Sequence, residues 1–142
     1  MTTFVIDASV ALKWFLPEVE AEPARRVLAA RPNLVAPDLL FAEAGNALWK
    51  RVRAEEMTAG EATAVAEALA ALPWRVLGAQ SLLAPALEIA CRTGCTVYDS
   101  LYVAAAVREE APLVTADRRL LDALAPGPLS TCVLWVADAA RA

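Results

Sequence analysis

Five short β-type runs separated by longer helical stretches confine this chain to an α/β architecture built on a mainly parallel sheet. The runs are Thr3 to Asp7, Leu34 to Ala36, Trp74 to Leu77, Leu113 to Thr115 and Cys132 to Val136. Helices are predicted near residues 9–16, 23–31, 38–54, 59–72, 81–93, 98–110 and 117–124. Pro23 suits a first helical position and Pro32 closes that helix. Thr58-Ala59-Gly60-Glu61 reads as a capping box, and Gly94 fits a helix C-terminus. No internal repeat, low-complexity tract or long linker divides the sequence, so residues 1–142 are expected to form a single domain.

Within this alternation four acids stand where apolar side chains would otherwise be buried. Asp7 ends Phe4-Val5-Ile6, and Glu43 interrupts Leu39-Leu40-Phe41-Ala42-Glu43-Ala44. Asp99 opens Asp99-Ser100-Leu101-Tyr102-Val103-Ala104-Ala105, and Asp117 follows Leu113-Val114-Thr115-Ala116. Carboxylates in apolar surroundings are costly unless paired or bound to cations. In open α/β sheets, ligands bind outside the carboxyl ends of the strands. Asp7 and Asp117 fall at such ends, and Glu43 and Asp99 fall near the starts of helices, so all four are expected at a single edge. Brought together, they would raise one another's pKa values or demand a metal. Hard carboxylate oxygens suit Mg²⁺ or Mn²⁺, and those ions suit phosphate chemistry. Taken singly, each acid is equally consistent with a structural role. Asp7, Asp99 and Asp117 can cap the helices that follow them, and Glu43 can lie on the surface.

Residues three or four apart share a helix face, which puts Glu43, Asn46, Lys50 and Arg53 on one stripe. Ala44, Ala47, Leu48 and Val52 lie on another, apolar one. An acid, an amide and two cations along a face can hold a metal at one end and follow a phosphate backbone at the other. A solvated polar face gives the same pattern. The candidate basic rim comprises Lys13, Lys50, Arg51, Arg53, Arg92, Arg118 and Arg119, with Arg51 off the stripe. Trp14 and Trp49 are read as core or partner interface rather than as platforms for base stacking.

Composition removes several classes of function. The chain has no histidine, which excludes Ser-His-Asp and Cys-His catalysis and histidine-containing zinc sites. A net charge of −4 argues against a general nucleic-acid coat protein, although it includes the site acids themselves. Mean hydropathy is +0.45, so some apolar surface is expected to face a partner. Cys91, Cys95 and Cys132 form no metal or disulfide spacing, and Cys91 and Cys95 read as small buried side chains. With no signal peptide and no spanning segment, a cytoplasmic location is expected.

Four segments together resemble the PIN-domain family, its VapC toxin branch most closely. They are Val5-Ile6-Asp7-Ala8-Ser9, Glu43-Ala44-Gly45-Asn46-Ala47-Leu48, Tyr98-Asp99-Ser100-Leu101-Tyr102-Val103-Ala104, and Leu113-Val114-Thr115-Ala116-Asp117-Arg118-Arg119-Leu120. The resemblance implies a three-layer α/β/α fold with a central, mainly parallel sheet of about four to five strands. It also implies a metal-dependent ribonuclease, commonly dimeric and held inactive by a VapB-type antitoxin. Asp7, Glu43, Asp99 and Asp117 match the family's acidic quartet. Ser9 and Thr115 match its supporting hydroxyls, and Asn46 matches the polar residue a turn after the glutamate. Arg118 and Arg119 stand where some relatives carry a further acid.

The expected chemistry is hydrolysis of RNA phosphodiesters to 5′-phosphate and 3′-hydroxyl ends, with Mg²⁺ and Mn²⁺ interchangeable. Asp7, Asp99 and Asp117 are the expected ligands, with Glu43 binding metal or orienting water. Two other readings remain open on sequence. One is a non-enzymatic interaction module that keeps an acidic cation site. The other is a Mg²⁺-dependent phosphatase or receiver, against which stand Ser9, where a phosphatase needs a second acid, and the lack of any Lys beyond Lys50.

Overall fold

The computed structural model describes residues 2–142. Its sheet comprises β1 (Thr3–Ile6), β2 (Asn33–Pro37), β3 (Trp74–Leu77), β4 (Leu113–Thr115) and β5 (Val133–Trp135). The strands lie in the order β3-β2-β1-β4-β5, and every neighbouring pair is parallel. Phe4, Val5 and Ile6 are all buried, so β1 is covered on both faces, as a central parallel strand built of consecutive apolar residues requires. The chain winds outward from β1 through β2 to β3 and returns to place β4 on the other flank of β1. Strand order therefore reverses between β1 and β4, which is where such sheets open a crevice for ligands. The receiver-type order 2-1-3-4-5 is absent.

Among the described residues the helices are α1 (Ala8–Ala11), α2 (Ala21–Ala29), α3 (Leu39–Arg53), α4 (Ala59–Ala70), α5 (Ala79–Thr93), α6 (Val97–Glu109), α7 (Arg118–Leu124) and α8 (Val136–Ala139). The long predicted helices are all present, and the differences are local. The helix predicted over 9–16 is a short α1 followed by a 3-10 turn at Leu12–Trp14. Pro17 disfavours helical backbone at Leu16, and the Trp14 indole N–H is drawn to the Ala24 carbonyl at 2.9 Å. Pro23 is the third residue of α2 rather than its first, still within the turn whose N–H groups have no helical partner. Pro128 opens a second 3-10 turn that absorbs Cys132 from the predicted fifth strand, and α8 then follows β5 directly. Pro85 lies inside α5 and leaves the Ser81 carbonyl, four residues earlier, without its helical N–H. Arg108 of α6 fills that gap, donating to the Ser81 carbonyl at 2.8 Å and to its hydroxyl at 2.9 Å.

The core joins the two sheet faces through Ile6, Leu40, Leu82, Tyr102 and Leu113, each nearly or fully inaccessible. Trp14 is part of it and stacks on Trp74 with ring centroids 5.8 Å apart. The predicted capping box is formed, with Thr58 accepting from the Glu61 N–H and Glu61 accepting from the Thr58 N–H. Cys91 departs from expectation: it is exposed, because it falls on the outer face of α5, while Cys95 and Cys132 are half-buried. Among the described residues no helix is long and apolar enough to cross a membrane.

Gly94 ends α5 in the left-handed region, at φ 79°, and aims the chain into α6, which carries Asp99. A methyl group there meets nothing within 4 Å, so the penalty for Gly94→Ala is backbone strain alone. Urea unfolding is expected to show a loss of about 1 kcal/mol. An unchanged midpoint would mean that the left-handed turn is not held.

Candidate acidic site

Asp7 is the most deeply placed of the four acids. Its backbone N–H donates to the Val114 carbonyl at 3.1 Å, which fixes it at the end of β1 beside β4. Its side chain is 8% exposed. Two hydroxyls donate to the same carboxylate oxygen, Oδ2: Ser9 at 2.7 Å and Thr115 at 2.8 Å. Each hydroxyl is itself oriented by a backbone donor. The Ala116 N–H reaches Ser9 Oγ at 3.1 Å, and the Asp117 N–H reaches Thr115 Oγ1 at 3.0 Å. The turn after β4 is thereby tied to the turn after β1 through one carboxylate. Asp7 precedes α1, but its side chain makes no capping bond, which removes the alternative reading of this acid.

The other three acids arrive on helix starts that lie at the same edge. Glu43 is the fifth residue of α3 and is half-buried; its Oε1 accepts from the Tyr102 hydroxyl at 2.6 Å. Asp99 is the third residue of α6. The capping reading of Asp99 fails because Thr96 caps α6, accepting from the Asp99 N–H at 3.1 Å and leaving the Asp99 carboxylate free for other partners. Asp117 does cap α7, with Oδ1 accepting from the Arg119 and Leu120 N–H groups. Its other oxygen, Oδ2, meets the Arg119 guanidinium at 3.3 Å, and the same Nη2 lies 3.3 Å from Asp99 Oδ2.

The electrostatics follow from this packing. Burial pushes Asp7 from 3.8 up to about 6, against the pull of the two hydroxyls and with further push from Glu43 and Asp99. Burial also raises Glu43, opposed by the Tyr102 hydroxyl and reinforced by the Asp99 charge. Asp99 is raised by burial and by Asp117, while Arg119 holds it down. Burial and the neighbouring acids raise the Tyr102 phenol far above its ordinary range, so it stays a donor. Each acid thus acts on the next, from Asp7 through Glu43 and Asp99 to Asp117. Among the described residues no three of these side chains stand close enough together, as placed, to hold a metal ion. The donors are nonetheless all hard oxygens carrying surplus negative charge, and a cationic side chain already bridges two of them. That chemistry fits a divalent cation.

Other predicted residues lie elsewhere. Asn46 and Lys50 are exposed on α3, and the Arg53 guanidinium lies 5.0 Å above the Trp49 ring. Lys13 is largely covered and sits 3.8 Å from Glu18, which also pairs with Arg51. Arg92 pairs with Glu88 at 2.6 Å. The Arg118 guanidinium lies 4.1 Å over Trp135. Arg119 is inside the acidic site rather than on a free rim. Tyr102 was missed as a site residue; its signal is the three-residue spacing from Asp99 on one helix face. A cavity of about 530 Å³ between α5 and α7 is lined by Pro85, Ile89, Val107 and Leu129 among others, and none of the four acids borders it.

Residues 4–125 match the PIN domain family. Ribonuclease VapC3 of Pyrobaculum aerophilum is 33% identical over 124 residues, covering 83% of this chain and 92% of that protein. Ribonuclease VapC1 of Mycobacterium tuberculosis is 40% identical over 129 residues, covering 89% and 93%. A crystal structure of a Pyrobaculum aerophilum protein superposes with a TM-score of 0.74 at 26% identity, covering 99% of this chain and 88% of that one. A toxin–antitoxin complex from Klebsiella pneumoniae gives 0.68 at 14% identity, covering 93% and 96%, a likeness of fold.

The raised Asp7 pKa sets a pH dependence of stability. The folded carboxyl takes up its proton near 6 and the unfolded one near 3.8, so the ionised group opposes folding at neutral pH. That penalty shrinks as pH falls through 6 and is gone below 3.8. Asp7→Asn keeps an oxygen to accept from Ser9 and Thr115. In EDTA at about pH 8 it is expected to stabilise the protein by up to about 3 kcal/mol, with the gain fading toward about pH 4. Urea titration across pH checks this. A variant less stable than the native chain at every pH would contradict it.

Proposed function

The chain belongs to the PIN domain family, and from that membership we propose that it is a metal-dependent endoribonuclease, the toxin of a toxin–antitoxin pair. The observation that carries this reading is the chain of acids at the β1–β4 crevice, in a protein 40% identical to a named ribonuclease. Asp7, Asp99 and Asp117 would hold Mg²⁺, with Mn²⁺ as a substitute. When bound, the ion would supply charge neutralisation at the phosphodiester and Lewis acidity toward its phosphoryl oxygens.

The chain's own groups supply positioning and proton transfer. Ser9 and Thr115 fix one oxygen of Asp7 and so aim the other. Tyr102 fixes Oε1 of Glu43, which leaves Oε2 to bind the ion or to orient and deprotonate the attacking water. Water oxygen adds to phosphorus as its proton passes to Glu43, the P–O3′ bond breaks, and the departing 3′-oxygen takes a proton from solvent. The products carry 5′-phosphate and 3′-hydroxyl ends, and the 2′-hydroxyl takes no part. Exposed Lys50, Arg53 and Arg118 are the proposed phosphate contacts, with Arg118 presenting its guanidinium from the Trp135 ring.

The whole of residues 1–142 is proposed to act as one domain, in keeping with a principal core that runs from Phe4 to Ala139. A VapB-type antitoxin and a second copy of this chain are the proposed partners. Exposed Trp49, Leu83, Leu87 and Val107 are apolar surface of the kind such partners cover. Three unpaired cysteines support a cytoplasmic location.

With antitoxin-free protein and a pool of structured RNAs, discrete fragments bearing 5′-phosphates are expected in Mg²⁺ or Mn²⁺. They should vanish in EDTA and with Asp7→Asn. Tyr102→Phe, which frees Glu43 without opening the core, should slow cleavage about 10- to 100-fold. Equal cutting by the native chain and by Asp7→Asn would refute the assignment.

A further inference from the structure

We propose that Arg119 is a resident counter-ion of the acidic site, one that occupies the gap between Asp99 and Asp117 and must leave it before a divalent cation binds there. The proposal rests on the reading of these acids as a cation site. Its basis is geometric. A single nitrogen, Nη2, lies 3.3 Å from Asp99 Oδ2 and 3.3 Å from Asp117 Oδ2, the bridging position a small cation would take between two carboxylates.

Two features make this contact a displaceable one. The Arg119 side chain is 72% exposed, so its departure into water uncovers little. Asp117 does not depend on the side chain for its orientation. Its Oδ1 is held by the backbone N–H groups of Arg119 and Leu120, which any residue at position 119 retains. The other arginine at the start of α7 is committed elsewhere, since the Arg118 guanidinium lies over Trp135. Only one of the two neighbouring arginines therefore serves the acids. Repulsion between Asp99 and Asp117 in the metal-free chain is relieved internally, at the cost of competition with the metal. An exposed guanidinium on two carboxylates is worth little in water, so the competition should be modest.

The test is Mn²⁺ binding by calorimetry, with no RNA and no turnover. Arg119→Ala should bind Mn²⁺ about 3- to 10-fold more tightly than the native chain. Arg119→Lys, which keeps a cation on a flexible stem, should fall between them. Arg26→Ala removes the same charge from the opposite end of the sheet, where Arg26 neighbours Thr2 and Phe4. It should bind Mn²⁺ like the native chain. Because the α7 cap is backbone-held, all three variants should fold, which far-ultraviolet circular dichroism verifies. Unchanged or weaker binding by Arg119→Ala overturns the proposal while leaving the metal site standing. Equal tightening by Arg26→Ala overturns it too, since net charge would then be the cause. No binding by the native chain or by Arg119→Ala overturns both the proposal and the metal reading.

Discussion

A carboxylate buried where two parallel strands part is the constraint on which the rest of this molecule turns. Asp7 follows three buried apolar residues and its backbone is held in register by β4, so its carboxylate cannot turn toward water without losing the Ser9 and Thr115 bonds. Left alone in that position, a charge would be severely penalised. Two hydroxyls, from the first turn of α1 and the last residue of β4, donate to the carboxylate, and two backbone N–H groups just after β4 orient them, which makes the position tolerable. The same bonds tie together the two sides of the crevice at the strand-order reversal. Site and fold are therefore stitched by one set of interactions.

The remaining acids show how surplus charge is shared among neighbours of differing kind. Glu43 is tempered by a neutral donor, the Tyr102 phenol, which burial keeps protonated. Asp117 is tempered by the N-terminus of the helix it caps, and Asp99 by a guanidinium. These devices have different strengths. The phenol is embedded in the core, whereas the arginine is largely exposed. The site is thus firm at its Asp7–Glu43 side and adjustable at its Asp99–Asp117 side.

What the sequence revealed, and what it hid, follows the range of the interactions involved. The strands were legible because apolar runs are local patterns, and the placement of the acids because each ends, opens or interrupts such a run; so were the Thr58 capping box and the Gly94 turn. The capping alternative for Asp99 stayed open on sequence because the helix is expected from residue 98, whereas it begins at Val97 with Thr96, three residues upstream of Asp99, as its cap. Tyr102 was hidden because a phenol among alanines and valines looks like core, and its partner lies 59 residues away. The division of labour between Arg118 and Arg119 was not legible at all. It depends on where α7 begins and on Trp135 being carried back across the sheet by β5. The role of Lys13 likewise depends on Glu18, held by the loop before α2.

The central proposal is that Asp7, Asp99 and Asp117, with Glu43 binding the ion or orienting water, form a divalent-cation site at the β1–β4 crevice. Paramagnetic broadening of backbone amide signals by substoichiometric Mn²⁺ tests it most directly. The account expects selective loss of signals around residues 7–9, 43, 99 and 115–119, with Asn33 and Arg75 at the opposite end of the sheet unaffected. Broadening centred on any other part of the chain, or none at all at saturating Mn²⁺, would contradict it.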